Sequence, residues 1–270
     1  MAKHIEDEVV YYYDLYPTEE DLMGETSVHA SLVRYLMEVL TWLFWGQQCA
    51  IYDNLNFYQT SNPEEHPLAP DIAVIKGVDY IDVTSWKVGR TGPPPLVVFE
   101  IASKETWVKD QKDKPGRYAR MGVQEYFAYD PHEPLLDREA SSRLTGWRLD
   151  TVQRRMQEMP LRPDGSLWSV QLDSFLVPGG KYLYLYDRQG HLRPTQAQGE
   201  AQRAEREVHR ADVQARHAEA EKRRADAEAV ARQAEVQRAE AEKRRADAEA
   251  KRAEALAEKL RSLGVDPDQQ

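Results

Sequence analysis

Two carboxylates stand in the same setting at distant points of the chain. Asp71 follows Pro70 and opens the apolar run Ile72-Ala73-Val74-Ile75. Glu100 closes the run Leu96-Val97-Val98-Phe99, which follows Pro93 to Pro95. Both runs are short, rich in β-branched residues and bounded by proline, the pattern of strands buried on both faces. A carboxylate at the end of such a strand is costly to bury unless a cation meets it. If the two strands are neighbours, the carboxylates converge on one sheet edge. Two hard oxygen ligands of this kind can hold Mg²⁺, which takes only one or two protein carboxylates. Cations are at hand just downstream, where Lys104, Lys109, Lys112, Lys114, Arg117 and Arg120 are interspersed with Glu105, Asp110 and Asp113. The same stretch also reads as a solvated, charge-balanced helix face.

The elements that must position these residues follow from periodicity. Residues 105–121 read as a helix with Trp107, Tyr118 and Met121 as inward anchors. Pro115-Gly116 lies inside it, so the spacing predicts a broken or late-starting helix. Asp110, Lys114 and Tyr118 fall on one helix face at i, i+4 and i+8. Asp110 with Lys114 reads equally well as a surface ion pair, worth a few tenths of a kcal/mol. Gly122 ends the helix, and Val123–Asp130 returns as a strand. Upstream, residues 1–25 are acidic. A helix comes next, capped by Thr26 or Ser27, with Leu32, Tyr35, Leu36, Val39, Leu40 and Leu43 at helical spacing and Gly46 at its end. Residues 49–60 read as a strand or hairpin arm, and residues 76–95 as a Gly/Pro-bearing connection. Segments 144–149, 152–159, 167–172 and 182–186 read as an antiparallel extension. The turns between them carry Pro163-Asp164-Gly165 and Pro178-Gly179-Gly180.

Composition divides the chain near residue 195. All six Trp, 14 Tyr and five Phe precede it, and the remainder is nearly all Ala, Glu, Arg, Gln, Lys and Asp. The expected domains are a globular one over 1–195, a helical tail over 196–263 and a disordered terminus over 264–270. The first part carries a net charge of −9 and the rest −1. An acidic protein does not gather nucleic acid through its overall field, so any polyanion must meet a local basic patch. One cysteine, Cys49, excludes an intramolecular disulfide framework and a Cys-rich zinc site. Met1–Glu8 lacks the apolar region of a signal peptide, and the stretch from Leu32 to Trp45 is broken by Arg34 and Glu38. The expectation is a cytoplasmic protein without a membrane partner.

The tail repeats itself. AEAEKRRADAEA occurs at 218–229 and at 239–250, an offset of three heptads. With Val208 at position a, thirteen of the sixteen a and d positions through Leu260 are apolar, mostly alanine. That seam predicts a coiled coil serving as a dimerisation rod or spacer. A lone, salt-bridged helix fits the same composition. About 65 helical residues would reach on the order of 100 Å.

The ordered motifs resemble those of the Uma-type (Uma two) restriction-endonuclease family, in the PD-(D/E)xK nuclease superfamily. They are GETSVH at 24–29, PDIAVI at 70–75, VVFEIAS at 97–103, D-x₃-K-x₃-Y at 110–118, Gly122-Val123 and EYFAYDP at 125–131. The resemblance implies a restriction-endonuclease-like mixed β-sheet flanked by helices, here followed by the long coiled-coil tail. It implies hydrolysis of phosphodiester bonds in DNA, dependent on Mg²⁺ or Mn²⁺. Asp71 and Glu100 match the metal carboxylates, and Glu25 is a further candidate ligand, directly or through water. His29 matches a histidine on the first helix and is expected to pack or to hydrogen-bond. The superfamily lysine would fall at residue 102, which is Ala102. Lys104, on the same strand face by period 2, and Lys114, in the D-x₃-K-x₃-Y stretch, are the two substitutes. Ser103 is placed either to hydrogen-bond a ligand carboxylate or to cap the next helix. The expected partners are a DNA substrate and a second copy bound through the tail. The contrary reading is a non-cleaving interaction module that keeps the nuclease-like domain and the coiled coil.

Overall fold

A computed structural model describes residues 27–60, 62, 64–103 and 107–262, without the side chain of Lys109. Glu25 and Lys104 lie outside the described residues. The chain divides into two compact units, Met1–Ala201 and Gln202–Gln270. In order come α1 (Ser27–Leu43), β1 (Cys49–Tyr52), β2 (Asn56–Tyr58), β3 (Ile72–Lys76), β4 (Ser85–Lys87), β5 (Val97–Ile101), α2 (Trp107–Lys112), α3 (Lys114–Met121), β6 (Glu125–Tyr129), β7 (Leu144–Asp150), β8 (Arg155–Glu158), β9 (Leu167–Ser169), β10 (Ser174–Gly179), β11 (Tyr182–Tyr186) and α4 (Gln196–Ser262).

The central sheet is mixed, with strand order β1-β3-β5-β6-β7-β8. Only β5 and β6 pair in parallel, and α2 and α3 make the crossover between them. Parallel neighbours need such a crossover, because a tight turn cannot return the chain to the same end of the sheet. Every residue of β5 and β6 is buried, as their apolar runs require.

Strand alternation divides the core in two. Val97, Phe99, Ile101, Phe127 and Tyr129 face one side. There they meet Leu32, Leu36, Val39 and Leu40 of α1, and Leu167, Leu176, Leu183 and Leu185 of the three-stranded sheet β11-β10-β9. Each such side chain contributes roughly 1.5–3 kcal/mol on burial. Val98, Tyr126, Ala128 and Trp147 face the other side, against Trp107, Tyr118 and Met121 of the α2–α3 segment and Phe57 and Trp86 of the two-stranded sheet β2-β4.

Glu125 opens the motif EYFAYDP yet serves the first side. Its carboxylate accepts hydrogen bonds from Arg148 Nε (3.0 Å), Ser169 Oγ (2.5 Å) and the Val170 amide (3.0 Å), which ties the three-stranded sheet to β6. Gly146 allows the same closure. It stands opposite Phe127, and a Cβ there would lie 2.5 Å from Leu167 Cδ1 and 2.9 Å from Phe127 Cδ1. Gly146→Val is therefore expected to cost about 1–3 kcal/mol through overpacking. A denaturant melt with an unchanged midpoint would refute that account.

The helix break stands where the proline predicts it, between Lys112 and Lys114, with Pro115 in the first turn of α3. Three local expectations change. β1 and β2 do not form one arm. Asn54, at φ 48°, turns the chain between them, and they join different sheets. The connection 76–95 contains β4, which pairs in parallel with β2. Pro178 and Gly179 belong to β10 rather than to the turn. β9 pairs only with Ser174 to Leu176, so Pro178 has a strand neighbour on one side and its missing N–H is not needed on the other.

The start of α4 coincides with the composition break. Thr195 Oγ1 accepts from the Gln198 amide (3.4 Å), and Gln198 Oε1 accepts from the Thr195 amide (3.1 Å), a reciprocal cap. Gly199 lets this first turn approach Trp42, whose ring would lie 1.9 Å from an added Cβ. Among the described residues no helix is long and apolar enough to cross a membrane.

Candidate active site

β3 and β5 run antiparallel with Ile72 opposite Phe99 and Ala73 opposite Val98. One step further in that register, Asp71 faces Glu100. Residues directly opposite on an antiparallel pair share a face, so both carboxylates belong to the α2–α3 side of the sheet. Pro70 has no amide hydrogen to carry the ladder on. The Asp71 side chain takes over at its end, with Oδ2 accepting from the Ile101 amide at 2.5 Å. The other oxygen, Oδ1, lies 3.2 Å from Nε2 of His29, which is buried in the first turn of α1. His29 thus orients Asp71 from the far layer, the hydrogen-bonding role expected of it.

Glu100 is only 3 % exposed. Its Oε1 lies 2.9 Å from Lys114 Nζ and accepts a 2.5 Å hydrogen bond from the Tyr118 hydroxyl. Lys114 also lies 2.8 Å from Asp110 Oδ1. The surface-pair reading of Asp110 and Lys114 is corrected here. Asp110 is 1 % exposed, and its backbone carbonyl accepts from the Tyr126 hydroxyl at 2.8 Å. A single lysine therefore bridges two buried carboxylates, while Asp71 approaches from the adjoining strand. Beneath them Tyr118, Tyr126 and Trp147 pack in series, with ring centroids 4.9 and 4.8 Å apart. This aromatic floor keeps water from one side of the cluster. Solvent reaches it through Asp71 and Lys114, whose side chains are 13 and 18 % exposed.

Among the described residues the charges do not balance: the carboxylates of Asp71, Glu100 and Asp110 stand with one lysine, Lys114, and His29 lies at the margin. Burial pushes the Glu100 carboxyl up to about 8; the Lys114 ammonium opposes the shift, and the charges of Asp71 and Asp110 add to it. Burial works against the Lys114 ammonium, yet Glu100 and Asp110 hold it above its usual range. Tyr118 is pushed well up by burial and by the Glu100 charge, so its hydroxyl remains a donor. A buried, over-acidic cluster calls for one more positive charge, either a proton or a metal cation.

Of the residues singled out from the sequence, Asp71, Glu100 and Lys114 come together. The backbone carbonyl of Ser103 accepts from the Trp107 amide at 3.1 Å, at the entry to α2. Asp110 and Tyr118 complete the cluster. Sequence spacing places them on Lys114's face and reads Tyr118 as an inward anchor, but it does not say that Asp110 and Lys114 are buried with it. Of the other cations in the stretch, Arg117 donates to the carbonyls of His66 and Pro67, at 2.7 and 3.0 Å, and so fastens a loop. Among the described residues no three His, Cys, Asp or Glu side chains converge as a metal set. The donor chemistry is a carboxylate pair, which suits Mg²⁺ with its retained waters better than a zinc site built from protein ligands.

Residues 18–173 match the model of the Uma2 family, described as "Putative restriction endonuclease", over more than half of the chain. The chain belongs to the Uma2 family. The match takes in Asp71, Glu100, Asp110, Lys114 and Tyr118, and ends before the Ala/Glu/Arg tail. Among solved structures the chain is similar to one described as a "putative nuclease belonging to DUF820" from Anabaena variabilis ATCC 29413. The identity is 12 % and the TM-score 0.39, covering 56 % of this chain and 76 % of that one. No relative is found among curated proteins.

Within this cluster of the Uma2 chain, Tyr118→Phe removes a hydrogen bond to the buried Glu100 carboxyl. It is expected to cost about 1.5–3 kcal/mol, read by chemical denaturation. An unchanged midpoint would mean that the hydroxyl does not hold Glu100.

Proposed function

We propose that this chain is a cytoplasmic, Mg²⁺- or Mn²⁺-dependent endonuclease that hydrolyses phosphodiester bonds in DNA. The observation that carries the reading is the register that sets Asp71 opposite Glu100 on adjacent strands, with Lys114 of the crossover helix against Glu100. Family membership supports nuclease chemistry.

Asp71 and Glu100 are the residues that would hold the cation, with Glu25 as a further candidate. When bound, the cation supplies Lewis-acid polarisation of the scissile phosphate and a more acidic water. The protein's own groups do the rest. His29 and the Ile101 amide keep Asp71 oriented. Tyr118 fixes Glu100. Lys114 stays protonated between carboxylates, so it cannot take a proton at neutral pH. Its role is to donate hydrogen bonds and to neutralise the charge that develops on phosphate. Lys104 stays the alternative to it. The experiment is incubation of supercoiled plasmid with purified protein and Mg²⁺ or Mn²⁺, beside Asp71→Ala and Glu100→Ala. Cleavage by the wild type alone supports the reading, and equal cleavage by all three overturns it.

One observation favours a second reading, that of a non-cleaving binding module. The Glu100 carboxyl is already engaged by both Lys114 and Tyr118, which could replace a cation outright. Calorimetric titration with Mg²⁺ or Mn²⁺ separates the two. Binding that disappears in Asp71→Ala supports the enzyme, and the absence of any binding supports the module.

A further inference from the structure

The heptads of α4 have a charge pattern that bears on what the helix can pack against. With Val208 at position a, every e position from 212 to 254 is Asp or Glu except Gln233, and every g position from 207 to 249 is Glu except Gln214. On the opposite side every c position from 210 to 259 is Arg, Lys or His except Ala231, and b holds Arg216, Arg223, Arg244 and Lys251. Around a helix the positions run g, d, a, e and then b, f, c. The alanine seam is therefore bordered by acids on both edges. A second alanine stripe, at f from Ala220 to Ala248, is bordered by bases.

A two-fold coiled coil through a and d would set g against e of the partner if parallel, or g against g and e against e if antiparallel. Both arrangements place carboxylate against carboxylate along the whole seam. Lys222, Lys243 and Arg232 are the cations in that seam, against twelve acids on its borders from 207 to 254. The two stripes of different copies, by contrast, complement each other in charge. Both are lined by alanine, so the backbones can approach closely.

We propose that α4 self-associates stripe to stripe, the acidic-bordered seam of one copy against the basic-bordered f stripe of the next. The contact is heterologous, so each copy keeps one stripe free for a further neighbour and growth is open-ended rather than closed at two. The 21-residue repeat allows copies to pair with a stagger of roughly 30 Å and meet the same pattern again. The surface is available for this. Val208, Val230, Val236 and Leu256 are 58–70 % exposed. Arg216 and Arg223 pair with Asp212 and Glu219 only through exposed contacts within the helix, which are weak enough to be exchanged for contacts between copies. This inference is independent of the nuclease reading.

The test is sedimentation equilibrium of the full chain over a range of concentrations, in about 0.05 M and about 1 M salt. At the higher salt the screening length falls to ~3 Å. The expected result at low salt is an average mass that rises with concentration past two copies, and at high salt a return to the 31.1 kDa chain. Two variants fix the mode, each checked for retained helicity by circular dichroism. Neutralising the basic stripe with Arg223→Gln, Arg224→Gln, Arg244→Gln and Arg245→Gln should weaken association at least about tenfold. Neutralising the acidic borders with Glu219→Gln, Glu221→Gln, Glu240→Gln and Glu242→Gln should weaken it as well. A two-fold seam would instead be strengthened by the second variant. A mass that levels off at two copies and tightens in that variant overturns the proposal, as does a chain that stays monomeric at low salt.

Discussion

Lys114→Met destabilises the folded chain by about 3–5 kcal/mol, the cost of leaving buried carboxylates without their cation. The side chain is 18 % exposed and touches both Glu100 and Asp110. The loss depends on pH with a definite sign. Without Lys114, the ionised forms of Glu100 and Asp110 are penalised in the folded state and not in the unfolded one. The destabilisation therefore deepens as pH rises through about 8, where the Glu100 carboxyl ionises in the wild type, and shrinks on acidification, when that group is neutral. Thermal melts of wild type and variant at about pH 6 and about pH 9.5 check this, and a pH-independent difference would show that the lysine acts by packing alone. In the plasmid assay the same variant, studied at a temperature where it is folded, is expected to lose about 10²–10³-fold in rate, the typical effect of removing a group that stabilises transition-state charge. Full activity in a folded Lys114→Met would pass the role to Lys104.

Asp71→Asn and Glu100→Gln give the second large effect, and they separate chemistry from folding. Each keeps the volume of the side chain and removes one ionisable carboxyl from the candidate cation pair. Cation-dependent cleavage is expected to fall by more than about 100-fold, since even partners that only orient metal ligands cost 10–100-fold. Stability should move the other way for Glu100→Gln. The Glu100 carboxyl titrates at about 8 in the folded chain against an ordinary 4.5, so the folded state binds its proton more tightly than the unfolded one. Its contribution to stability is then lost as pH rises from about 4.5 towards 8. Glu100→Gln lacks that loss, and its melting temperature relative to wild type should climb over this window. A flat difference would mean that Glu100 is ionised throughout.

The strands that carry the two carboxylates were legible because a doubly buried strand must be an apolar run, and proline marks where it cannot extend. The break between α2 and α3 was legible for a similar local reason, the conflict of Pro115 and Gly116 with a helix interior. The capped start of α4 comes from Thr195 and Gln198, which satisfy each other's backbone groups. Strand patterning could not supply adjacency. β2 and β4, 27 residues apart at their closest ends, pair through contacts that neither segment encodes alone. β10 absorbed a Pro-Gly pair because one flank of that strand has no neighbour there.

The site divides in the same way. Residue types and spacing by themselves determined that two carboxylates end buried strands and that Asp110, Lys114 and Tyr118 share a helix face, because periodicity is a property of the local chain. Tyr118 already read as an inward anchor, but only the tertiary structure decided that Asp110 is buried beside it, that Lys114 lies between two carboxylates rather than in solvent, and that His29 reaches Asp71 across the layers. Burial and charge balance are set by what the rest of the fold packs around a residue, and a helix face carries no local record of which side the sheet will take.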